Sequence, residues 1–228
     1  MLIFLDGETF STNSRKIIVF RYEKDMIPVL KNQLSKMYKT EYILPEFDSG
    51  NGIADLVFAI DVDSRNGSLV EYDLLFEIMN SFNKKNKRIK VKDYLKKTFL
   101  NKRKVTNLID FLVINGFAEK IDADNILVVT KYKPPIKRII SIEAKLSDWK
   151  SGLYQALRYK AYSHKSYLAI SKEFAHRVDK DLLKQHNIGL IVVNSDTIEI
   201  AIDVKNEKPS NNVAQAYLSE KMANLVFA

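Results

Sequence analysis

The chain has 228 residues, no cysteine, 46% hydrophobic and 28% charged residues, and a formal net charge of +8. Without cysteine there is no disulfide, no thiolate nucleophile and no cysteine-bound zinc, and no apolar run approaches the ~20 residues of a membrane helix. The length allows one large domain or two small ones, and Met1-Leu2-Ile3-Phe4-Leu5 followed by Asp6-Gly7-Glu8 lacks the features of a signal peptide, so a cytoplasmic location is expected.

Residues 1–63 read as α/β. A hairpin of 2–5 and 16–22 is expected to precede a helix over 25–39, where Ile27, Leu30, Leu34 and Tyr38 fall at helical spacing. Two strands follow, 41–47 and 53–62, joined by the turn-prone Asp48-Ser49-Gly50-Asn51-Gly52. Ser64-Arg65-Asn66-Gly67-Ser68 and Pro134-Pro135 then bracket a segment of different character.

That segment has the largest net positive charge of the three parts of the chain. Residues 1–70 carry 8 basic and 10 acidic side chains, 71–135 carry 14 and 8, and 136–228 carry 14 and 10. Between Lys84 and Lys104 there are eleven basic residues and one acid, Asp93. Such a run also suits a solvated face, but its concentration in one segment points to nucleic acid. The pattern predicts helices over 70–82, 91–97 and from about Val105 to Ile114, then a two-stranded wing of 117–121 and 126–132. In the third helix Val105, Leu108, Ile109, Leu112 and Val113 make the core stripe, and Asn115-Gly116 ends it. This order resembles a winged helix-turn-helix. The resemblance implies contacts to duplex DNA from Lys102, Arg103, Lys104, Thr106 and Asn107, with Asp110 on the same face. The competing reading is a basic module that docks protein.

After Pro135 the α/β pattern resumes, with strand 136–144, helix 148–162, strand 165–171, helix 173–186, strands 188–194 and 197–204, and a terminal helix over 212–226. His164, His176 and His186 show no metal-ligand spacing and read as ordinary residues, and Trp149 reads as core packing rather than base stacking. In a strand, alternation puts Glu143 and Lys145 on one face and Ala144 on the other. Side by side, a carboxylate can hold a hard cation and an ammonium can orient water or offset phosphate charge.

Asp55 in Gly52-Ile53-Ala54-Asp55-Leu56-Val57-Phe58, together with Glu143-Ala144-Lys145, resembles the PD-(D/E)xK nuclease superfamily of restriction endonucleases and repair exonucleases. Gln155-Ala156-Leu157-Arg158-Tyr159 is similar to the glutamine-x3-tyrosine motif of its recombination-repair branch, with both motif residues on one helix face. The resemblance covers about 25–63 and 136–171. It departs at Ala54, where the family has proline, and in the 88 residues that separate Asp55 from Glu143; an inserted winged helix accounts for the latter. What it implies is a restriction-endonuclease-like mixed sheet flanked by helices, with a core of 1–66 and 136–228 interrupted by a winged helix over 67–135.

The same resemblance makes Asp55, Glu143 and the Ala144 carbonyl ligands of Mg²⁺ or Mn²⁺, with Glu46 as a further acid and Glu41 as a weaker candidate. Lys145 would position or polarise the attacking water, and Gln155 and Tyr159 would support the site or touch the DNA backbone. The expected function is a Mg²⁺-dependent DNA endonuclease. A non-catalytic DNA-binding regulator or assembly factor on a nuclease-like scaffold is the alternative. A third reading is a component of a defence, repair or mobile-element system whose protein partner supplies DNA specificity. Two sites in a homodimer are a simple route to cutting both strands, although no residue shows dimerisation.

Overall fold

The computed structural model describes residues 20–50, 52–67 and 69–227. The expected hairpin of 2–5 and 16–22 lies outside them apart from 20–22, which are not a strand. A single 3-10 turn, Glu23–Met26, leads into α1 (Ile27–Tyr38), where Pro28 suits the first turn and Lys39 ends the helix in a left-handed conformation, φ 50°. Leu30 and Leu34 are its buried stripe.

Six strands make a mixed sheet in the order β1-β2-β6-β7-β8-β9: β1 (Ile43–Asp48), β2 (Ile53–Val62), β6 (Ile136–Lys145), β7 (Lys165–Ser171), β8 (Gly189–Val193) and β9 (Ile198–Ile202). The β1–β2, β2–β6 and β8–β9 pairs are antiparallel; β6–β7 and β7–β8 are parallel. Central position explains the near-continuous apolar run of β6, which is covered on both faces. On one face Leu56, Phe58, Ile140 and Ile142 pack with Leu30 and Leu34 of α1. The other face is covered by α5 (Trp149–Tyr159), α6 (Lys180–Gln185) and α7 (Asn212–Phe227). This is a mixed α/β sheet with flanking helices, which agrees with the α/β pattern of the sequence and with the sheet that the resemblance implies.

One boundary differs substantially. The expected helix 173–186 is a 3-10 turn, Ala175–Arg177, followed by an extended Val178 and then α6. Asp179 caps α6 by accepting from the Asp181 and Leu182 amides, so the helix starts where its capping carboxylate stands.

The intervening chain folds as α2 (Tyr72–Glu77, continued by a wider turn over Ile78–Phe82), β3 (Lys87–Lys90), α3 (Val91–Leu95), α4 (Lys102–Ile114), β4 (Ala118–Lys120) and β5 (Asn125–Val128). Its three strands pair antiparallel in the order β3-β5-β4. Strand β3 is absent from the sequence expectation. In it only Ile89 is buried, and three charged residues surround that position. Asn101 caps α4 by accepting from the Lys104 amide, and Gly116 at φ 71° closes the other end. There the Phe117 amide reaches the Leu112 carbonyl and the Gly116 amide reaches that of Val113, while the Phe117 ring packs near Phe111.

This segment has its own apolar cluster, into which Ala216 of α7 also packs. Buried Glu220 of α7 accepts from Arg65 and from the Tyr132 hydroxyl, and so ties both ends of the segment to the helix. Among the described residues no helix is long and apolar enough to cross a membrane.

Candidate active site

The site forms where β2 and β6 part. Their pairing runs out at Leu56–Ile142, so Asp55 and Glu143 are the next residues outward. Asp55 Oδ2 accepts the Ala144 amide at 2.7 Å, which satisfies a β6 donor that the ladder no longer serves. Pro45 and Phe47 pair with Leu56 and Ala54, which sets Glu46 across from Asp55 on the outer strand. Glu46 itself is exposed and has φ 49°, outside ordinary strand geometry.

Glu143 is 1% exposed and both of its oxygens are engaged. Oε1 lies 2.7 Å from Lys145 Nζ, and Oε2 accepts from the Tyr159 hydroxyl at 2.5 Å. The same hydroxyl stands 2.6 Å from the Ile53 carbonyl. Tyr159 therefore binds α5 to the ends of both β2 and β6. Gly152 permits the close approach of that helix: a Cβ there would stand 2.5 Å from Leu168 Cδ1 and 2.9 Å from Lys145 Cγ. The lysine stem thus runs against the helix backbone, which fixes where its ammonium ends.

Burial raises the pKa of Asp55; the Ala144 amide and Lys145 offset this in part, whereas the charges of Glu23 and Glu46 add to it. Burial also raises that of Glu143, partly offset by Lys145 and Tyr159, with Asp55 adding to the rise. Desolvation works against the Lys145 ammonium, but Glu143, Glu23 and Asp55 together hold its pKa above the ordinary lysine value. The Tyr159 hydroxyl is raised by burial and then by Glu143, so it stays a neutral donor.

The structure thus brings Glu143, Lys145 and Tyr159 into one hydrogen-bonded group, holds Asp55 next to it through the Ala144 amide, and sets Glu46 across from Asp55. Gln155 lies one turn before Tyr159, and its buried Oε1 has no hydrogen-bond partner. Glu41 lies elsewhere, on a cleft lined by Lys31, Lys36, Tyr38 and Arg138. Trp149 packs against the cluster between α5 and α6. His164 accepts the Ile139 amide on Nδ1, and its pKa is lowered by burial and by Arg138.

Sequence reasoning missed Glu23. Its Oε1 accepts the Leu146 amide at 3.3 Å and its Oε2 lies 3.6 Å from Lys145 Nζ. A lone glutamate before a helix carries no motif, so no local signal marks it.

Among the described residues no group of three or more His, Asp or Glu side chains is arranged to hold a metal ion by itself. A hard cation here would draw on the Asp55 and Glu143 carboxylates and the Ala144 carbonyl. That all-oxygen donor set fits Mg²⁺ or Mn²⁺.

On α4, Lys102, Arg103, Thr106 and Asn107 are exposed. Lys104 differs: its ammonium is 2.5 Å from Asp73 and 2.7 Å from Glu71, and the hydrogen bonds to these two raise its pKa. Asp110 pairs with Lys120 at 2.8 Å.

No protein-family model and no curated protein matches this chain. Among solved structures, a protein of unknown function from Silicibacter pomeroyi aligns at 15% identity and a TM-score of 0.30, over 40% of this chain and 59% of its own length. A likeness of that degree carries no argument about fold or function.

Proposed function

We propose that the chain is a Mg²⁺-dependent DNA endonuclease of the PD-(D/E)xK type, cytoplasmic, with an inserted winged helix over 67–135 that binds duplex DNA. The observation that carries the reading is the hydrogen-bonded group of Glu143, Lys145 and Tyr159 at the end of β6, with the Asp55 carboxylate beside it on the Ala144 amide. The order helix, strand, helix, helix, strand, strand between 72 and 128, with sheet order β3-β5-β4, supports the winged-helix assignment.

A bound Mg²⁺ or Mn²⁺ supplies Lewis acidity toward water and the scissile phosphate. Asp55, Glu143 and the Ala144 carbonyl would hold it. Lys145, fixed by Glu143 and by its packing on Gly152, presents an ammonium that orients water and offsets charge developing on the phosphate. Tyr159 holds the Glu143 carboxylate in place. Glu46 adds negative charge beside Asp55, and Glu23 restrains Lys145 from the other side.

One observation favours the alternative, a non-catalytic DNA-binding regulator on the same scaffold: both Glu143 oxygens are already engaged, as in a purely structural network. Incubation with supercoiled, linear and branched DNA in Mg²⁺, Mn²⁺ or EDTA decides between them. Metal-dependent cleavage that Glu143→Ala removes supports the nuclease. DNA binding without cleavage in either metal supports the regulator.

A further inference from the structure

We propose that Phe76 and Phe99 form a stacking platform for an unpaired DNA base, so that a duplex with a single-stranded extension is the preferred ligand. The inference rests on the DNA-binding reading above and adds the substrate class. Phe76 lies on α2 and Phe99 in the turn between α3 and α4; they are 43% and 66% exposed. Their ring centroids are 6.2 Å apart at an interplanar angle of 50°.

A single exposed apolar residue needs no explanation. Here two adjacent rings flank a set of hydrogen bonds to a buried carboxylate. Glu77, next to Phe76, is 7% exposed and accepts from the Tyr94 hydroxyl at 2.5 Å, from Ser81 at 2.9 Å and from Thr98 at 3.3 Å. Thr98 is the neighbour of Phe99, so this bond fixes the turn against α2 and sets the two rings side by side.

Charge around the rings selects the ligand. Lys96, Lys97, Lys102 and Arg103 are exposed on the same turn and at the start of α4. Of the acids nearest in the chain to the two rings, Glu71 and Asp73 are paired with Lys104 and Glu77 is bound by its three hydroxyl donors, which leaves exposed Asp93 against the four cations. An aromatic face flanked in the chain by exposed cations is the arrangement that grips single strands, with phosphates on the cations and a base on the ring. Duplex bases are already stacked on each other, so the base must be unpaired.

The test is equilibrium binding of the full chain in EDTA to a blunt duplex, to the same duplex with a single-stranded extension, and to the single strand alone. Wild type is expected to favour the extended duplex. Phe99→Ala should weaken that complex by about 5- to 150-fold for one lost stacking contact, leave the blunt duplex unchanged, and melt as wild type does. Phe99→Tyr, which keeps the ring, should retain the affinity. No preference in wild type, or equal effects of Phe99→Ala on both duplexes, overturns the proposal. So does loss of a wild-type oligomer in Phe99→Ala by sedimentation, which would make the patch a protein contact. Cleavage is no part of this readout: a chain that binds extensions through Phe99 but never cuts DNA sinks the nuclease reading alone, and one that cuts while indifferent to Phe99 sinks the platform alone.

Discussion

The Tyr159 hydroxyl bridges Glu143 Oε2 at 2.5 Å and the Ile53 carbonyl at 2.6 Å, so one proton serves two acceptors from different strands. Tyr159→Phe should free the Glu143 carboxylate to turn while leaving it charged and paired to Lys145. Removing such an outer partner of a ligand typically costs 10–100-fold in metal affinity or activity, with ~1–3 kcal/mol of stability for the lost buried bond. Cleavage rates and Mn²⁺ titration of the variant check this; an unchanged metal affinity would show that the bond is only structural.

On the nuclease reading, variants of Lys145 and Glu143 separate chemistry from binding. Lys145→Ala should abolish cleavage and leave DNA affinity near wild type, because the basic surface around α4 is untouched. Glu143→Ala should remove metal binding as well as cleavage. Undiminished hydrolysis by either purified variant would place the active site elsewhere.

Gly152 offers a test of how tightly the lysine is positioned. A methyl group there overlaps Leu168 Cδ1 and crowds Lys145 Cγ. Gly152→Ala is expected to cost ~1–3 kcal/mol of stability through overpacking, and to reduce the cleavage rate even at temperatures where the variant is fully folded. Equal rates for folded variant and wild type would mean that the stem position is unimportant.

Much of this site is legible in the sequence, because alternation along β6 and helical spacing on α5 are local rules. They place Glu143 with Lys145, and Gln155 with Tyr159, before any tertiary contact is known. Glu23 is not legible, since its role comes from a contact with Leu146, just past the end of β6 and 123 residues away. Neither is the engagement of Lys104, whose partner Asp73 lies 31 residues earlier on another helix. Strand β3 escapes because its pairing with β5, not its own pattern, makes it a strand. The alternation of strands and helices in the main sheet follows from run lengths and turns; the helix expected over 173–186 shortens because Val178 is extended.

The raised carboxyls give a pH signature. Asp55 and Glu143 have folded pKa values above their ordinary ones, chiefly through burial. Between the two values the folded state holds more protons, so their stability contribution is present at low pH and lost as pH rises through the raised values. His164 acts in the opposite sense: with its pKa lowered, its contribution is present above the ordinary histidine range and lost as pH falls through the folded value. Comparing wild type with Glu143→Gln removes the histidine effect. In EDTA, wild type should lose stability relative to the variant as pH rises above the ordinary carboxylate range, and excess Mg²⁺ should reverse the trend. A melting difference that stays flat with pH would contradict it.

The salt dependence of DNA binding distinguishes the cations of α4. Lys102 and Arg103 are exposed, whereas Lys104 spans Glu71 and Asp73. Each phosphate contact contributes ~0.9 to the slope of log K against log salt on duplex DNA. Replacing Lys102 and Arg103 together with alanine should therefore reduce the magnitude of that slope by about 1.8. Lys104→Ala should weaken binding by releasing two carboxylates, without the further drop in slope expected of a lost contact. If Arg103 reads a base edge, its replacement should also relax sequence preference. A slope that is unchanged in the double variant would exclude α4 from the DNA interface, and a slope that falls again by ~0.9 on adding Lys104→Ala would show that DNA displaces the two acids from that lysine.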